Sequence, residues 1–258
     1  MNTTRGSLAT IAGMLLVAAC SDGTGPTGGN VSLSFSTRLP GSALAPSRAP
    51  AFGAAVTGTD TLTDGTNTLI ITKAEIVLRE IELEPVEVTD CDVSPKPAGC
   101  EEFEVGPVLV DLPLGPGAVQ HVAIEIPPGS YKEIEFEIHK ISKDAPEEAA
   151  FRTAHPEFVE KSIRVQGTFN GQAFTYETDL DVEQEEDFAT PLVITETTTS
   201  TNLTIRVGLA AWFKALDGSL VNPATGNKGG QNESLIKENI KQSMEAFEDD
   251  DHDGEIGP

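Results

Sequence analysis

The sequence predicts a mostly β protein, an antiparallel β-sandwich with one amphipathic helix near the C-terminus. Three observations carry this expectation. Between Thr68 and Ile205, apolar and polar residues alternate at period two in many short runs, as in strands with one face in a core. Asn170-Gly171 lies between two such runs and is the signature of a tight hairpin. No helical stretch separates the runs, which argues against the crossovers of a parallel α/β sheet.

Taken in order, Val31 to Ser36 alternates and reads as the first strand, and Arg38 to Ala55 is a loose excursion rich in Pro, Ala, Ser and Gly. Ile76 and Leu78 share one parity, Ile81 and Leu83 the other, so a bulge at Arg79-Glu80 is needed to keep all four facing the core. Ile134, Phe136 and Ile138 form an inward row, with Glu133, Glu135, Glu137 and His139 pointing away from it. A type I′ turn at Asn170-Gly171 pairs Phe169 with Gln172, Gly167 with Phe174, Val165 with Tyr176 and Ile163 with Thr178. That register also sets Arg164 against Glu177 on the polar face. Leu203, Ile205, Val207 and Leu209 supply a later strand that ends near Trp212-Phe213. Ile236, Ile240, Met244 and Phe247 recur as one stripe of a helix, with Asn232 as N-cap and Gly226 to Gly230 as a linker before it.

The start of the chain points to export. Arg5 precedes an uncharged apolar run from Leu8 to Ala19, shorter than the ~20 residues a membrane span needs. The run ends as Leu16-Val17-Ala18-Ala19-Cys20, which resembles the bacterial lipobox. The resemblance implies that Cys20 receives a diacylglyceryl group and becomes the new N-terminus; the alternative is an ordinary signal with a chance cysteine. Ser21 after the cysteine is similar to the pattern for delivery to the outer membrane. Ser21 to Asn30 holds Gly, Thr, Pro and Asp, the composition of a flexible tether. The expected organisation is a signal peptide over 1–19, a lipidated tether over 20–30, a β-sandwich domain over 31–215, and a linker, helix and acidic tail over 216–258.

Composition narrows the partners. The 258 residues include 17 basic and 41 acidic ones, a net charge of -24. Such a surface repels phosphate backbones and anionic headgroups, which excludes nucleic acid as a partner. Metal cations, a protein or a carbohydrate remain open. With Cys20 lipidated, Cys91 and Cys100 are left in an oxidising space, with Pro95, Pro97 and Gly99 between them. A structural disulfide fits this spacing better than a Cys-x-x-Cys redox pair or a zinc site, which wants further ligands nearby. Its loop size corresponds to roughly 2.5–3 kcal/mol in the chain-entropy model.

Gly106-Pro-Val-Leu-Val-Asp-Leu-Pro113 and Ile126-Pro-Pro-Gly-Ser-Tyr-Lys-Glu-Ile134 resemble the core of a family of bacterial lipoproteins of unknown function. That family is similar to transthyretin-like and carboxypeptidase-regulatory-like β-sandwiches, and the resemblance spans Val31 to Leu209. It implies the sandwich fold and no catalytic residues. In the second segment Gly129 is expected to take the positive φ of a type II turn, with Tyr131 opening a strand.

No catalytic motif is present: His121, His139, His155 and His252 stand in no zinc-binding spacing, and nucleophile-elbow, phosphate-loop and dinucleotide signatures are missing. His121 and His139 fall at outward or edge positions and read as solvated. Asp179, Asp181, Glu183 and Glu185 lie on one face of an extended segment, and Glu80, Glu82 and Glu84 form a similar row. Alternation alone explains both as the wet side of strands. The terminal Asp249-Asp-Asp251-His-Asp253-Gly-Glu255-Ile256 has the alternating oxygen ligands and glycine that begin an EF-hand-type calcium loop. Its ligands would be Asp249, Asp251 and Asp253 with the carbonyl of Glu255; the bidentate glutamate of a full loop is missing, and a plain acidic tail is the alternative. The function expected is a non-catalytic envelope lipoprotein presenting an acidic sandwich, weakly calcium-binding at its tail. A carbohydrate- or protein-binding module using Trp212, Phe213 and Tyr131, or a carboxylate-based hydrolase, would be the other readings.

Overall fold

A computed structural model describes residues 29–37, 58–86, 103–115, 119–195 and 201–248. Within them the chain is mostly β, with antiparallel sheets and only 3 helices, as the alternation predicts. The strands are β1 (Gly29–Ser36), β2 (Asp60–Thr63), β3 (Thr68–Pro85), β4 (Phe103–Val105), β5 (Val108–Asp111) and β6 (Val119–Ile126). They continue as β7 (Gly129–Ile138), β8 (Ile163–Phe169), β9 (Gln172–Thr178), β10 (Val182–Ile194), β11 (Thr201–Val207) and β12 (Met244–Glu248). The helices are α1 (Ala149–Ala154), α2 (Leu209–Trp212) and α3 (Glu233–Lys241).

One sheet has four strands in the order β12-β11-β1-β6; the other has eight, along the path β10-β7-β3-β8-β9 with β2, β4 and β5 also paired to β3. Leu33 and Phe35 of the smaller sheet share a single buried cluster with Ile76, Phe136 and Tyr176 of the larger one. This shared core makes the fold a sandwich. One neighbour pair departs from the antiparallel expectation: β1 runs parallel to β11, from Val31↔Thr201 to Ser36↔Arg206. Its two strands are remote in sequence, so no tight turn dictates their direction.

The 18-residue β3 is the spine of the larger sheet, pairing with β8 along Leu69–Ile76 and with β7 along Leu78–Pro85. The bulge expected at Arg79-Glu80 appears as a register shift between Leu78 and Glu80. It lets Ile76, Leu78, Ile81 and Leu83 all be buried on one face. The β8–β9 hairpin has the predicted register throughout, with φ of 52° at Asn170 and 79° at Gly171. These positive values are what a type I′ turn requires.

Four expectations need correction. The helical stripe stops at Lys241: Ile236 and Ile240 are buried on α3, but Met244 starts β12 and Phe247 pairs with Thr204 in the sheet. Ser243 ends the helix, donating from Oγ to the Ile240 carbonyl and accepting the Trp212 indole N–H. The open edge of β11 then offers Met244–Glu248 a complete hydrogen-bond ladder, and that tertiary pairing overrides the periodicity. Asn232 occupies the N-cap position without capping; its amide donates to Thr225 Oγ1 instead.

The expected linker is docked. Asn227 accepts the backbone N–H of Glu177 at 2.8 Å and donates to the Thr175 carbonyl at 3.1 Å, while Gly226 packs on Ile236 and Tyr176. Gly129, finally, does not have positive φ. Its lack of a side chain admits the Tyr131 ring, whose atoms come within 3.1–3.2 Å of where a Cβ would stand. Tyr131 Oη donates to the Pro127 carbonyl at 2.9 Å and so fastens the turn over the strand it opens.

Candidate functional site

Alternation sends one side of β3, β7 and β10 into the core and the other toward solvent. On the outward side the registers align carboxylates in rows across the strands. Glu80 lies beside Glu137 and Glu137 beside Glu183; Glu82 lies beside Glu135 and Glu135 beside Glu185. Glu84 lies beside Glu133 and Glu133 beside Asp187, while Glu104 of β4 extends the middle row past Glu82. The rows seen separately in the sequence thus become one acidic sheet face.

Crowding has an electrostatic effect. Burial, then Glu104 and Glu137, push the Glu80 carboxyl above its usual range, against the pull of Arg79. Glu135 is raised by burial and then by Glu183, Glu185, Glu80 and Glu137. Glu133 is raised by burial and then by Glu185, Glu84 and Asp187, with Lys132 opposing. Like charges side by side on a sheet destabilise it unless cations gather there. Lys132 relieves part of this through Glu84 at 2.8 Å.

Two open depressions lie elsewhere on the surface. One is lined by Thr72, Gln166, Gly167 and Phe174, the other by Lys161, Arg164, Glu177, Asp179 and Lys228. Neither contains the raised carboxyls.

At one corner of the acidic face the side chains differ in kind. Glu137 and His139 alternate along the end of β7, and Asp181 precedes β10 where Ile138 pairs with Val182. His139 Nδ1 lies 3.4 Å from Glu137 Oε1 and 3.3 Å from Asp181 Oδ2. Glu137 is oriented from behind, its Oε2 taking a hydrogen bond from Arg79 at 3.0 Å. Arg79 also reaches the buried Glu148, which in turn accepts the Ser142 N–H at 2.6 Å. The segment carrying Glu148 is fixed by a small second cluster of Val77, Ile141 and Phe158 on the outer side of β3.

Alternation places His139 outward, but not beside Asp181. The available signal was Glu-x-His on the wet side of a strand; the third member needs the β7–β10 register. Asp179, expected in the same row as Asp181, turns away from it to Lys237 at 2.8 Å and Lys228 at 3.0 Å. Those two lysines hold its carboxyl down to about 2. His155 lies 3.9 Å from Glu157, and His121 belongs to β6 opposite Ser34.

The aromatic candidates are core residues. Trp212 and Phe213 are fully buried, Phe213 meets Tyr176 edge-on at 5.4 Å, and Tyr131 is buried as well. Cys20, Cys91, Cys100, His252 and the calcium candidates Asp249, Asp251, Asp253 and Glu255 lie outside the described residues. The chain matches no family model, no curated protein and no solved structure.

Proposed function

We propose that this chain is a non-catalytic, lipid-anchored protein of the bacterial envelope that displays an acidic sheet face to cationic ligands. The observation that carries the reading is where Glu80, Glu133 and Glu135 stand. Their carboxyls are raised, as in many active sites, yet they lie on an open face shared with further carboxylates. Among the described residues this face has no enclosure to hold a small substrate against an acid and a base. It can concentrate counterions and meet a basic surface over a wide area. Placement of the chain at the envelope, in the outer membrane by the residue after the cysteine, rests on the lipobox-like run into Cys20. Weak calcium binding by Asp249, Asp251, Asp253 and the Glu255 carbonyl belongs to the same reading. Burial of Trp212, Phe213 and Tyr131 leaves the carbohydrate-binding alternative without its stacking residues.

Mass spectrometry of the protein extracted from envelope membranes tests the anchor. The expected result is Cys20 as first residue with a diacylglyceryl adduct, and release of the Cys20→Ser chain into the soluble fraction. An unmodified N-terminus, or a Cys20→Ser chain that still sediments with membranes, would overturn it.

A further inference from the structure

We propose that Glu137, His139 and Asp181 form a binding site for a zinc-type divalent transition-metal ion at the corner of the acidic sheet. Their donor atoms all lie within 4.8 Å of one another. The two contacts of His139 Nδ1, 3.4 Å to Glu137 and 3.3 Å to Asp181, are the informative ones. Donors held about 2.0–2.1 Å from a tetrahedral ion stand about 3.4 Å apart, so both edges already have the spacing an ion imposes.

A second observation separates this corner from the rest of the acidic face. His139 Nδ1 is buried and makes no hydrogen bond, although two carboxylate oxygens flank it. Neither contact is aligned as a hydrogen bond. The three donors lie within 4.8 Å of one another, with the His139 side chain 28% exposed at the rim of the cluster. Glu137 is also prepared for the role, because Arg79 occupies Oε2 and leaves Oε1 directed at the histidine. Support of a carboxylate ligand by a hydrogen bond to its other oxygen is the usual second layer of a metal site. Arg79 is itself held at 3.2 Å by Glu148.

Donor chemistry chooses the ion. Calcium and magnesium take six or more oxygens, whereas an imidazole nitrogen with carboxylates suits zinc and its neighbours. The side chain of Asp181 is 64% exposed, so the remaining coordination position opens to solvent, for water or a donor from a partner. A bound dication would also offset the repulsion along the row Glu80, Glu137 and Glu183.

The site is independent of the lipid anchor, and the Cys20→Ser chain should bind zinc as well as the lipidated one. Failure of either proposal therefore leaves the other standing. The test is titration of the full chain with zinc alone, followed by calorimetry and by the imidazole resonances of the histidines. One equivalent should move the His139 ring signals and leave those of His155 in place. His139→Gln and Asp181→Asn should each weaken this binding by about tenfold or more, with thermal melting confirming that the variants fold. Excess calcium should not displace the ion. Unmoved His139 signals at saturating zinc would overturn the proposal, as would unchanged affinity in both folded variants or displacement by calcium.

Discussion

Arg79 serves two carboxylates at once, a largely buried Glu137 and a buried Glu148. Removing its charge would leave the buried Glu148 only the Ser142 N–H at 2.6 Å and the Arg152 guanidinium, which stands off at 4.0 Å. Arg79→Met should therefore cost about 2 kcal/mol of stability, read from urea unfolding. Adding Glu148→Gln to that variant should recover part of the loss, because the buried group left behind is then neutral. A double variant no more stable than Arg79→Met alone would show that the stranded charge is not the cause. At this scale the sequence was informative about direction and poor about meeting. Period-two alternation sets Glu137 and His139 on the wet side of β7 without any structure. Which residues face them from β3 and β10 depends on register, and the bulge at Arg79-Glu80 shifts one of those registers. Arg79 reaches Glu137 from that bulge.

Among the elements, α3 and β12 tie the C-terminal part of the chain to the sandwich. Ile236 and Ile240 are fully buried in the same cluster as Phe136 and Tyr176, and β12 adds an edge to the four-stranded sheet. Ile240→Ala should cost about 2–5 kcal/mol and shift one cooperative unfolding transition as a whole. Loss of a separate minor transition, with the main one unmoved, would mean that this segment folds apart from the sandwich. The β8–β9 hairpin was fully legible because a local dipeptide fixes it: Asn-Gly adopts the positive φ values that the turn needs. The end of α3 was not, because the helical stripe through Met244 and Phe247 is equally a strand once an unpaired edge is available. β1 beside β11 was hidden for a related reason. Alternation declares a strand but not its neighbour.

For the whole molecule the dominant quantity is charge, and it predicts an uncommon pH profile. Glu80, Glu133 and Glu135 are raised above the ordinary 4.5, so from that value up to their own they bind protons more readily folded than unfolded. Stability should then increase as pH falls from neutrality toward 4.5. Asp179 acts oppositely: lowered from 3.8 to about 2, its stabilising pairs with Lys237 and Lys228 are lost as pH falls through that interval. Melting temperatures at constant ionic strength should rise on mild acidification and then drop, with added salt flattening the rise. A melting temperature that falls steadily from neutrality downward would contradict the crowding of the acidic face.

The parallel pairing of β1 also sets an order of events. β1 is flanked by β6 on one side and β11 on the other, so the first of these strands along the chain needs residues up to 207 for its full complement of partners. A chain delivered N-terminus first would present Leu33 and Phe35 long before their sheet can exist. Long-range pairings of this kind are reached slowly, and an unpaired apolar strand is open to wrong partners in the meantime. The same delay bears on the proposed anchor: were the chain processed at Cys20 as proposed above, that step would fall in the interval before the last strands arrive.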